Sequence, residues 1–445
     1  MPVGHQEPAA ETPAFALADL EAVALANNPT IAAAEALVRQ QLGLLRQAGL
    51  YPNPTAGYVR TDADQSGQSE TAGAFFSQDI VTAGKLVLAK AEQRQYVDWR
   101  YWQLNAQQAR VLNDVRIRYY EVLGAQEAVR IAAEFETLAV QGVKLTKAVL
   151  KAGQGARPDL LQAEIQLSAV RSALQDAKHR HQATWQQLAN LVGVPDLAQA
   201  PLAGNLENDI PQLDWQTSLQ QLLAESPLLR GQASQIRGSE FDVKLSKAQA
   251  IPNVNVQVVA QRDYVMKFSS VSTLLSVPVP IFNRNQGNIQ NSIGQLQQQQ
   301  KEYERIKLAL SDQLAAAFQQ YLSARSQSER LRAEILPKTK ENLDLTTQIY
   351  KAGQSDYLRV LSAQHSYLEA RLGYIDALTT LHKAAIEITG LELSGGLNPT
   401  EVGTALQTQP GAGATGARNV LLQQLQQQGP GATGRLPGAI QSGAH

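Results

Sequence analysis

The sequence Lys151-Ala152-Gly153-Gln154 recurs 200 residues later as Lys351-Ala352-Gly353-Gln354, and each copy ends a long stretch of helical sequence. Residues 151–177 and 351–377 share nine identities in 27 positions. The same offset aligns Tyr51-Pro52-Asn53-Pro54 with Ile251-Pro252-Asn253-Val254 far upstream. Self-similarity at a fixed offset indicates an internal repeat, so the sequence predicts one duplicated unit of about 200 residues.

Each unit is predicted to contain short helices, a β-hairpin, a long helix, a turn and a return helix. In the first unit, 17–193, the hairpin spans about 55–80, the long helix 85–150 and the return helix 158–192. The second unit, 215–393, has its hairpin at about 253–282, its long helix at 287–350 and its return helix at 355–391. A linker, 194–214, joins them. Residues 1–16 and the Gly/Pro/Gln-rich tail 394–445 are predicted to be disordered.

The long helices are predicted from the absence of helix-breaking residues. Residues 85–150 contain no proline and only two glycines, so they form a rod of roughly 100 Å. A helix of this length needs a partner along it. Because the return helix covers little more than half the rod, the short helix at 30–48 is expected to cover the remainder. Pro337 falls inside the second rod and is expected to bend it.

The strands of the second hairpin alternate between apolar and polar side chains. Val254, Val256 and Val258 alternate with Asn255 and Gln257, which predicts one apolar and one polar face. In a lipid bilayer every backbone donor needs a partner, so such a sheet must close on itself. One chain offers too few strands for a wide barrel. Oligomerisation would supply the missing strands.

Composition excludes several classes of function. The net charge of −1 does not favour nucleic acid, and the absence of cysteine removes disulfides, thiol catalysis and a lipid anchor on an N-terminal cysteine. Residues 1–11 lack the basic start and apolar core of a secretory signal. His179 and His181 lie two apart on a predicted helix and cannot hold one metal together. The sequence therefore predicts no enzyme, no cofactor and no resident metal site.

Several motifs resemble those of the TolC-like outer-membrane efflux proteins over residues 17–393. They are Leu336-Pro337, Tyr350-Lys351-Ala352-Gly353-Gln354 with Leu361-Ser362-Ala363-Gln364, and Phe76-Ser77-Gln78-Asp79-Ile80 before Gly84-Lys85. The run Val277-Pro278-Val279-Pro280-Ile281-Phe282-Asn283-Arg284-Asn285-Gln286-Gly287 is most similar to the branch that serves heavy-metal cation efflux pumps of the RND type.

The resemblance implies a mainly α fold with a β-barrel part: a trimeric α/β-barrel channel-tunnel built from duplicated antiparallel coiled-coil helices and β-hairpins. Three copies would contribute four strands each to a twelve-stranded barrel in the outer membrane, with the helices extending into the periplasm. Such channels are passive and work with a periplasmic adaptor (membrane fusion) protein and an inner-membrane RND-type pump. The exported substrates would be small, with heavy-metal cations as the candidates.

This fold assigns expected roles to the motifs. The adaptor would dock on the turns, at Gly153, Gln154, Gly353, Gln354 and Ser355. Asp159 and Tyr350 are candidates for a periplasmic gate, although Asp159 could instead merely cap the return helix. Val254, Val256 and Val258 would face lipid, whereas Asn255 and Gln257 would face the lumen. The alternative is a soluble periplasmic or cytoplasmic coiled-coil scaffold or adaptor, whose rods would look the same.

Overall fold

The computed structural model describes residues 14–61, 71–153, 155–208 and 210–398, which show the same order of elements twice. The first repeat comprises α1 (Leu17–Asn27), α2 (Pro29–Ala48), β1 (Thr55–Thr61), β2 (Thr71–Ile80), α3 (Lys85–Lys151) and α4 (Arg157–Val192). The second comprises α5 (Trp215–Glu225), α6 (Pro227–Gln249), β3 (Val254–Asp263), β4 (Ser269–Ser276), α7 (Gln286–Arg330), a π-helix (Leu331–Ile335), α8 (Leu336–Lys351) and α9 (Tyr357–Thr389).

The 67-residue helix α3 is about 100 Å long and is covered along its length by two shorter helices. Helices α2 and α4 both pack on α3, and they meet end to end. The Asn28 side-chain nitrogen donates to the Leu191 carbonyl at 2.8 Å. Gly193, at φ +84°, lies so close to Asn27 that a Cβ would sit 2.5 Å from the Asn27 carbonyl oxygen. The short helix therefore completes the cover, as the helix lengths predict.

The two repeats pack on each other through α3, which also contacts α6 and α9. Gly231 and Gly238 on α6 make room for the aromatic side chains Trp99, Trp102 and Tyr96 of α3. Buried side chains from both repeats form a shared apolar cluster, which includes Val115, Leu188, Leu331 and Leu378. Among the described residues, no helix has an apolar stretch long enough to cross a membrane.

The long helix predicted at 287–350 is divided, unlike α3. Helix α7 passes into the π-helix, whose Leu336 N–H bonds to the carbonyl of Leu331, five residues back. Pro337 then lies in the first turn of α8, directly after the π-helix, where the α-helical hydrogen-bond pattern is already interrupted. Pro337 therefore predicts the position at which the long helix is interrupted. The sequence did not predict that the interruption is a π-helix, an element frequent at functional sites.

Ordered structure extends beyond both predicted limits. Phe15 exchanges backbone hydrogen bonds with Pro201 and Ala203, and its ring lies 6.2 Å from that of Trp185. At the other end, the Asp114 carboxylate accepts hydrogen bonds from the Gly395 and Gly396 N–H groups. Residues 14–16 and 394–398, predicted to be disordered, are therefore held against the helices. The rest of both predicted disordered ends lies outside the described residues.

The two hairpins join in one antiparallel sheet with strand order β1-β2-β3-β4. Strands β2 and β3 pair from Thr71 opposite Asp263 to Ile80 opposite Val254, so both repeats contribute to the centre of the sheet. Strand β4 ends at Ser276, six residues before the predicted end of the hairpin. Pro278 and Pro280 explain the early end, since proline cannot donate to a strand ladder.

Candidate functional site

The turn of the second repeat closes α8 with a glycine in the left-handed region. Gly353 has φ +71°, its N–H bonds to the Tyr350 carbonyl at 2.9 Å, and the Gln354 N–H bonds to the Ile349 carbonyl at 3.1 Å. This pair of bonds is the Schellman motif. Ser355 follows, and the Asp356 side chain then accepts the Arg359 N–H as the N-cap of α9. The residues expected at this tip therefore form a tight, fully capped reversal.

The turn of the first repeat follows the same plan as far as it is described. Gly153 has φ +73°, and its N–H bonds to the Leu150 carbonyl at 3.1 Å. Gln154 lies outside the described residues. A Cβ built on Gly153 or Gly353 would meet no atom within 4 Å, so both turns are open to an approaching partner. A substitution at either glycine would be strained by the backbone conformation and not by lack of space.

Behind the turns, α8 and α9 share a buried aromatic cluster with the first repeat. Tyr350 and Tyr357 are 5% and 1% exposed, and their ring centroids lie 5.2 Å apart. Ala163 of α4 joins this cluster. The Tyr357 hydroxyl lies over Gly142 of α3, where a Cβ would approach it within 2.2 Å. Sequence reasoning missed Tyr357 and Gly142, because only the folded chain brings residues so distant in sequence together.

The structure brings the two candidate gate residues near each other. Burial, and then the negative charge of Asp159, raises the pKa of the Tyr350 hydroxyl, so this group stays protonated at neutral pH. The N-cap of α4 is Ala156, which makes no side-chain cap, and Asp159 lies inside the first turn. Capping by Asp159 is therefore not observed. The negative charge of Asp159 acts on Tyr350 of the second repeat, and it also stabilises the N-terminus of α4.

The two tips carry different charges. Lys144, Lys147 and Lys151 are exposed at i, i+3 and i+7, which places them on one face of α3. Two hundred residues later the corresponding positions are Asp344, Thr347 and Lys351. Among the described residues, no carboxylate forms a salt bridge with the three lysines of the first tip. The first tip is thus a cationic surface and the second is mixed.

At the opposite end of the rods, the sheet has two chemically different faces. The cross-strand partner of Val254 is Ile80, and Val258 lies opposite both Phe76 and Thr273. Because directly opposite residues share a face, the valines form an apolar surface with these side chains. The polar side chains on this face include Gln78, opposite Val256, and, towards the far end of the sheet, Arg60 and Arg262, which both lie opposite Ala72.

Asn255 and Gln257 lie on the other face of the sheet, opposite Asp79 and Ser77. The Asn255 amide donates to the Asp79 carboxylate at 2.6 Å and to the Ser77 hydroxyl at 3.0 Å. This face is polar apart from side chains such as Leu274, which lies opposite Gln257. The alternation of the sequence therefore separates the two faces as predicted.

Residues 21–194 and 218–391 both match the family described as outer membrane efflux protein, and the two ranges coincide with the two repeats. The chain belongs to this family. It is an outer-membrane efflux channel whose helices extend into the periplasm, which confirms the resemblance to TolC-like proteins and does not favour the soluble scaffold.

Individual relatives agree with this membership. The chain is 27% identical over 377 residues to the cobalt-zinc-cadmium resistance protein CzcC of Cupriavidus metallidurans, covering 82% of this chain and 87% of the relative. The fold is similar to that of CusC, a transmembrane channel, with a TM-score of 0.74, 19% identity and coverage of 85% of this chain and 92% of CusC. The outer-membrane channel OprN matches with a TM-score of 0.72 and 19% identity, over 85% of this chain and 90% of OprN.

Proposed function

We propose that three copies of this chain form a passive channel-tunnel, which receives small substrates from an RND-type pump and a periplasmic adaptor. The observation that carries the proposal is the open sheet. Among the described strands, β1 and β4 each pair on one side only, which leaves a row of backbone groups unpaired at both edges. Lipid offers these groups no partner. Pairing β4 of one copy with β1 of the next closes the sheet into a ring.

The number of copies follows from the width of the barrel. Two copies would give eight strands, and side chains fill the interior of an eight-stranded barrel. Three copies give twelve strands and leave room for a lumen. In this barrel the face with Val254, Val256 and Val258 meets lipid, while the face with Asn255 and Gln257 lines the lumen. The opposite arrangement would place the carboxylate of Asp79 in lipid.

The adaptor is proposed to dock on the two tips. Gly153, Gly353, Gln354 and Ser355 lie at the far end of the rods from the sheet, and a Cβ on either glycine would meet no atom within 4 Å. The three lysines of α3, which form no salt bridge with a described carboxylate, repel one another, since like charges at i, i+3 and i, i+4 cost about 0.2–0.5 kcal/mol per pair. Acidic side chains of an adaptor would relieve this repulsion. We therefore assign the first tip to an acidic docking partner.

The gate is proposed to lie just above the tips, where Asp159 of α4 faces Tyr350 of α8. These helices belong to different repeats, so an attraction between them holds the helix pair α3-α4 of one repeat against the helix pair α8-α9 of the other. Tyr350 is buried and protonated, which suits it to donate toward the carboxylate when the helices close. An opening that separates these two helix pairs would have to break this attraction.

Divalent heavy-metal cations are the proposed substrates. Support comes from the similarity to CzcC along most of both chains. Among the described residues, no group of three or more His, Cys, Asp or Glu side chains could hold a metal ion. The channel is therefore proposed to let cations pass without a high-affinity site.

The assembly is tested by light scattering of the purified full chain in detergent. A homotrimer that aggregates when the detergent is removed is the expected result, whereas a monodisperse monomer without detergent would contradict the channel.

The substrate is tested in cells that carry a cobalt-zinc-cadmium pump and adaptor but no outer-membrane channel. Expression should restore resistance to Zn²⁺, Co²⁺ and Cd²⁺. Restored resistance to organic compounds alone would overturn the metal assignment.

A further inference from the structure

The segment that connects β4 to α7 is apolar and exposed. Residues 277–282, here called the connector, include Val279 at 76%, Ile281 at 62% and Phe282 at 90% exposure. The equivalent connection of the first repeat, residues 81–84, is short and is tied down, because the Thr82 hydroxyl donates to the Pro252 carbonyl at 2.6 Å. The second repeat therefore carries an additional apolar segment that its own chain leaves uncovered.

Three of the six residues of the connector present no free backbone N–H group, which reduces the cost of placing it in a surrounding of low polarity. Pro278 and Pro280 have no N–H group, and the Ile281 N–H is satisfied by the Val279 carbonyl at 2.9 Å. An unpaired donor in lipid costs several kcal/mol, so removing donors is the simplest way to place irregular backbone beside lipid. An open groove separates the connector from the end of α6 at Gln249 and Ala250, so α6 does not cover it.

Other exposed apolar side chains lie at the same end of the sheet. They precede β1 and β3 or end β2, and they are Leu50, Tyr51, Ile251 and Ile80. Together with the connector they form a band across the chain at the point where strands give way to helices. This band continues the apolar face of the sheet. Leu275 of β4 shares that face with Val256, and the connector begins directly after the last residue of β4.

A second exposed band lies at the other end of the sheet, in and beside the turn between β3 and β4. It contains Tyr264, Val265, Met266 and Phe268. The ten residues of β3 separate the bands by about 33 Å along the strand. A strand tilt of about 40° reduces this to a height of about 25 Å, the height of the apolar zone of an outer-membrane barrel, which aromatic residues flank at both interfaces.

We propose that the connector lies in the periplasmic leaflet of the outer membrane and anchors the channel there through Phe282. The partner is the lipid surface at the boundary between acyl chains and headgroups. This inference rests on the outer-membrane location of the chain. It adds that the membrane contact extends beyond the barrel strands onto a segment found in one repeat only.

The test uses the absence of cysteine in the chain, which allows single-cysteine variants without further changes. Phe282→Cys is labelled with a nitroxide, and the full-length protein is reconstituted into phosphatidylcholine and phosphatidylglycerol vesicles. Power-saturation electron paramagnetic resonance then compares the accessibility of the label to O₂ and to a water-soluble nickel chelate. Val271→Cys, exposed on the apolar face of β4, reports insertion of the sheet. Leu308→Cys, exposed on α7, reports an aqueous site.

In the expected result, the label at 282 is several-fold less accessible to the nickel chelate than the label at 308, and O₂ reaches it readily. High nickel accessibility at 282 with a lipid-like signal at 271 would overturn the anchor while leaving the barrel intact. An immobile label that neither reagent reaches would also overturn it, because a second copy of the chain would then cover the connector. A water-like signal at 271 would instead contradict the channel itself.

Discussion

The two repeats share their order of elements but differ in the continuity of the long helix, in the charge of its tip and in the connection from the last strand to that helix. The rod of the first repeat, α3, is one continuous helix with a cationic tip, whereas the rod of the second is interrupted by a π-helix and has a mixed tip. The strand-to-helix connection is tied down in the first repeat and exposed in the second. Duplication supplied the scaffold, so the differences between the copies mark where each repeat has acquired its own contacts.

The tip glycines are the features on which the repeats agree most closely, and their loss should have the largest effect. Valine at Gly153 or Gly353 must adopt a positive φ, which costs about 1–3 kcal/mol and distorts the turn. We expect either variant to abolish efflux in cells while the trimer and barrel stay intact by light scattering. Gly373→Val is the matched control, because this glycine also has open space but lies in α9 without a positive φ. Full complementation by the tip variants would show that the turns are not the docking site.

A buried carboxyl distinguishes the first rod from the second. Burial, with the negative charge of Asp242 added, raises the pKa of Glu92 to about 8. Its counterpart 200 residues later, Ser292, is neutral and donates to the Ile289 carbonyl. The folded chain binds the Glu92 proton more tightly than the unfolded chain, so stability should fall as pH rises from about 4.5 to about 8.

Glu92→Gln should therefore stabilise the folded chain by about 2–4 kcal/mol near pH 8 and have little effect near pH 4. The measurement is the midpoint of thermal unfolding of the detergent-solubilised protein as a function of pH. Glu164→Gln, at an exposed site on α4, serves as the control. An equal shift at both pH values would mean that the substitution acts through packing and not through the proton.

Close packing between the repeats at the tip depends on Gly142. Alanine there would place a Cβ 2.2 Å from the Tyr357 hydroxyl oxygen, whereas the next ring atom is 3.4 Å away. Gly142→Ala should destabilise the tip by about 1–3 kcal/mol, measured as the free energy of local opening by hydrogen exchange. Tyr357→Phe removes the clashing atom, so the double variant should lose less than the sum of the single changes. Additive losses would show that the hydroxyl is not the obstacle.

How far the sequence predicts this molecule depends on whether the signal is local. Glycine and proline mark the ends of helices wherever they occur, which is why the turns at Gly153 and Gly353 and the interruption near Pro337 lie where expected. The alternation of Val254, Val256 and Val258 predicts a face of β3, but it does not show where a strand ends, and the predicted hairpin ran six residues beyond the end of β4. Backbone donors, which prolines lack, decide where pairing stops.

Contacts between distant segments left no such signal. Tyr357 was overlooked because its partner, Gly142, lies more than 200 residues away and an isolated glycine in a helix has many explanations. The same holds for the hydrogen bonds from Gly395 and Gly396 to Asp114, which extend the ordered chain into a sequence whose composition is typical of disorder. Composition describes only the preferences of an isolated segment, whereas here the half-buried carboxylate of Asp114 on α3 supplies a partner for its backbone.

The charge difference between the tips can be tested directly against an adaptor. Replacing Lys144, Lys147 and Lys151 with glutamate should weaken adaptor binding about tenfold or more and should reduce its dependence on salt. Asp344→Lys, at the position of the second tip that corresponds to Lys144, should leave binding unchanged or strengthen it. Biolayer interferometry at two salt concentrations makes the measurement. Equal weakening by both changes would mean that the adaptor does not distinguish the repeats by charge.

The smallest expected effect concerns the proposed attraction between Asp159 and Tyr350, which joins the two repeats above the tips. If Asp159 and Tyr350 hold α4 against α8, then Asp159→Ala should raise the resting conductance of the channel in a planar bilayer. A hydrogen bond from a neutral hydroxyl to a half-exposed carboxylate contributes about 1 kcal/mol, so the closed state should remain the main one and the open events should become a few-fold more frequent. Tyr350→Phe keeps the buried ring and removes only the hydroxyl, so it should reproduce the effect if the hydroxyl donates to the carboxylate. Glu164 is an exposed charge elsewhere on α4, so Glu164→Ala should leave the conductance unchanged. A resting conductance equal to that of the unmodified channel in both gate variants would mean that the packing of Tyr350 and Tyr357 against Ala163 and Gly142 is sufficient to keep the two repeats together.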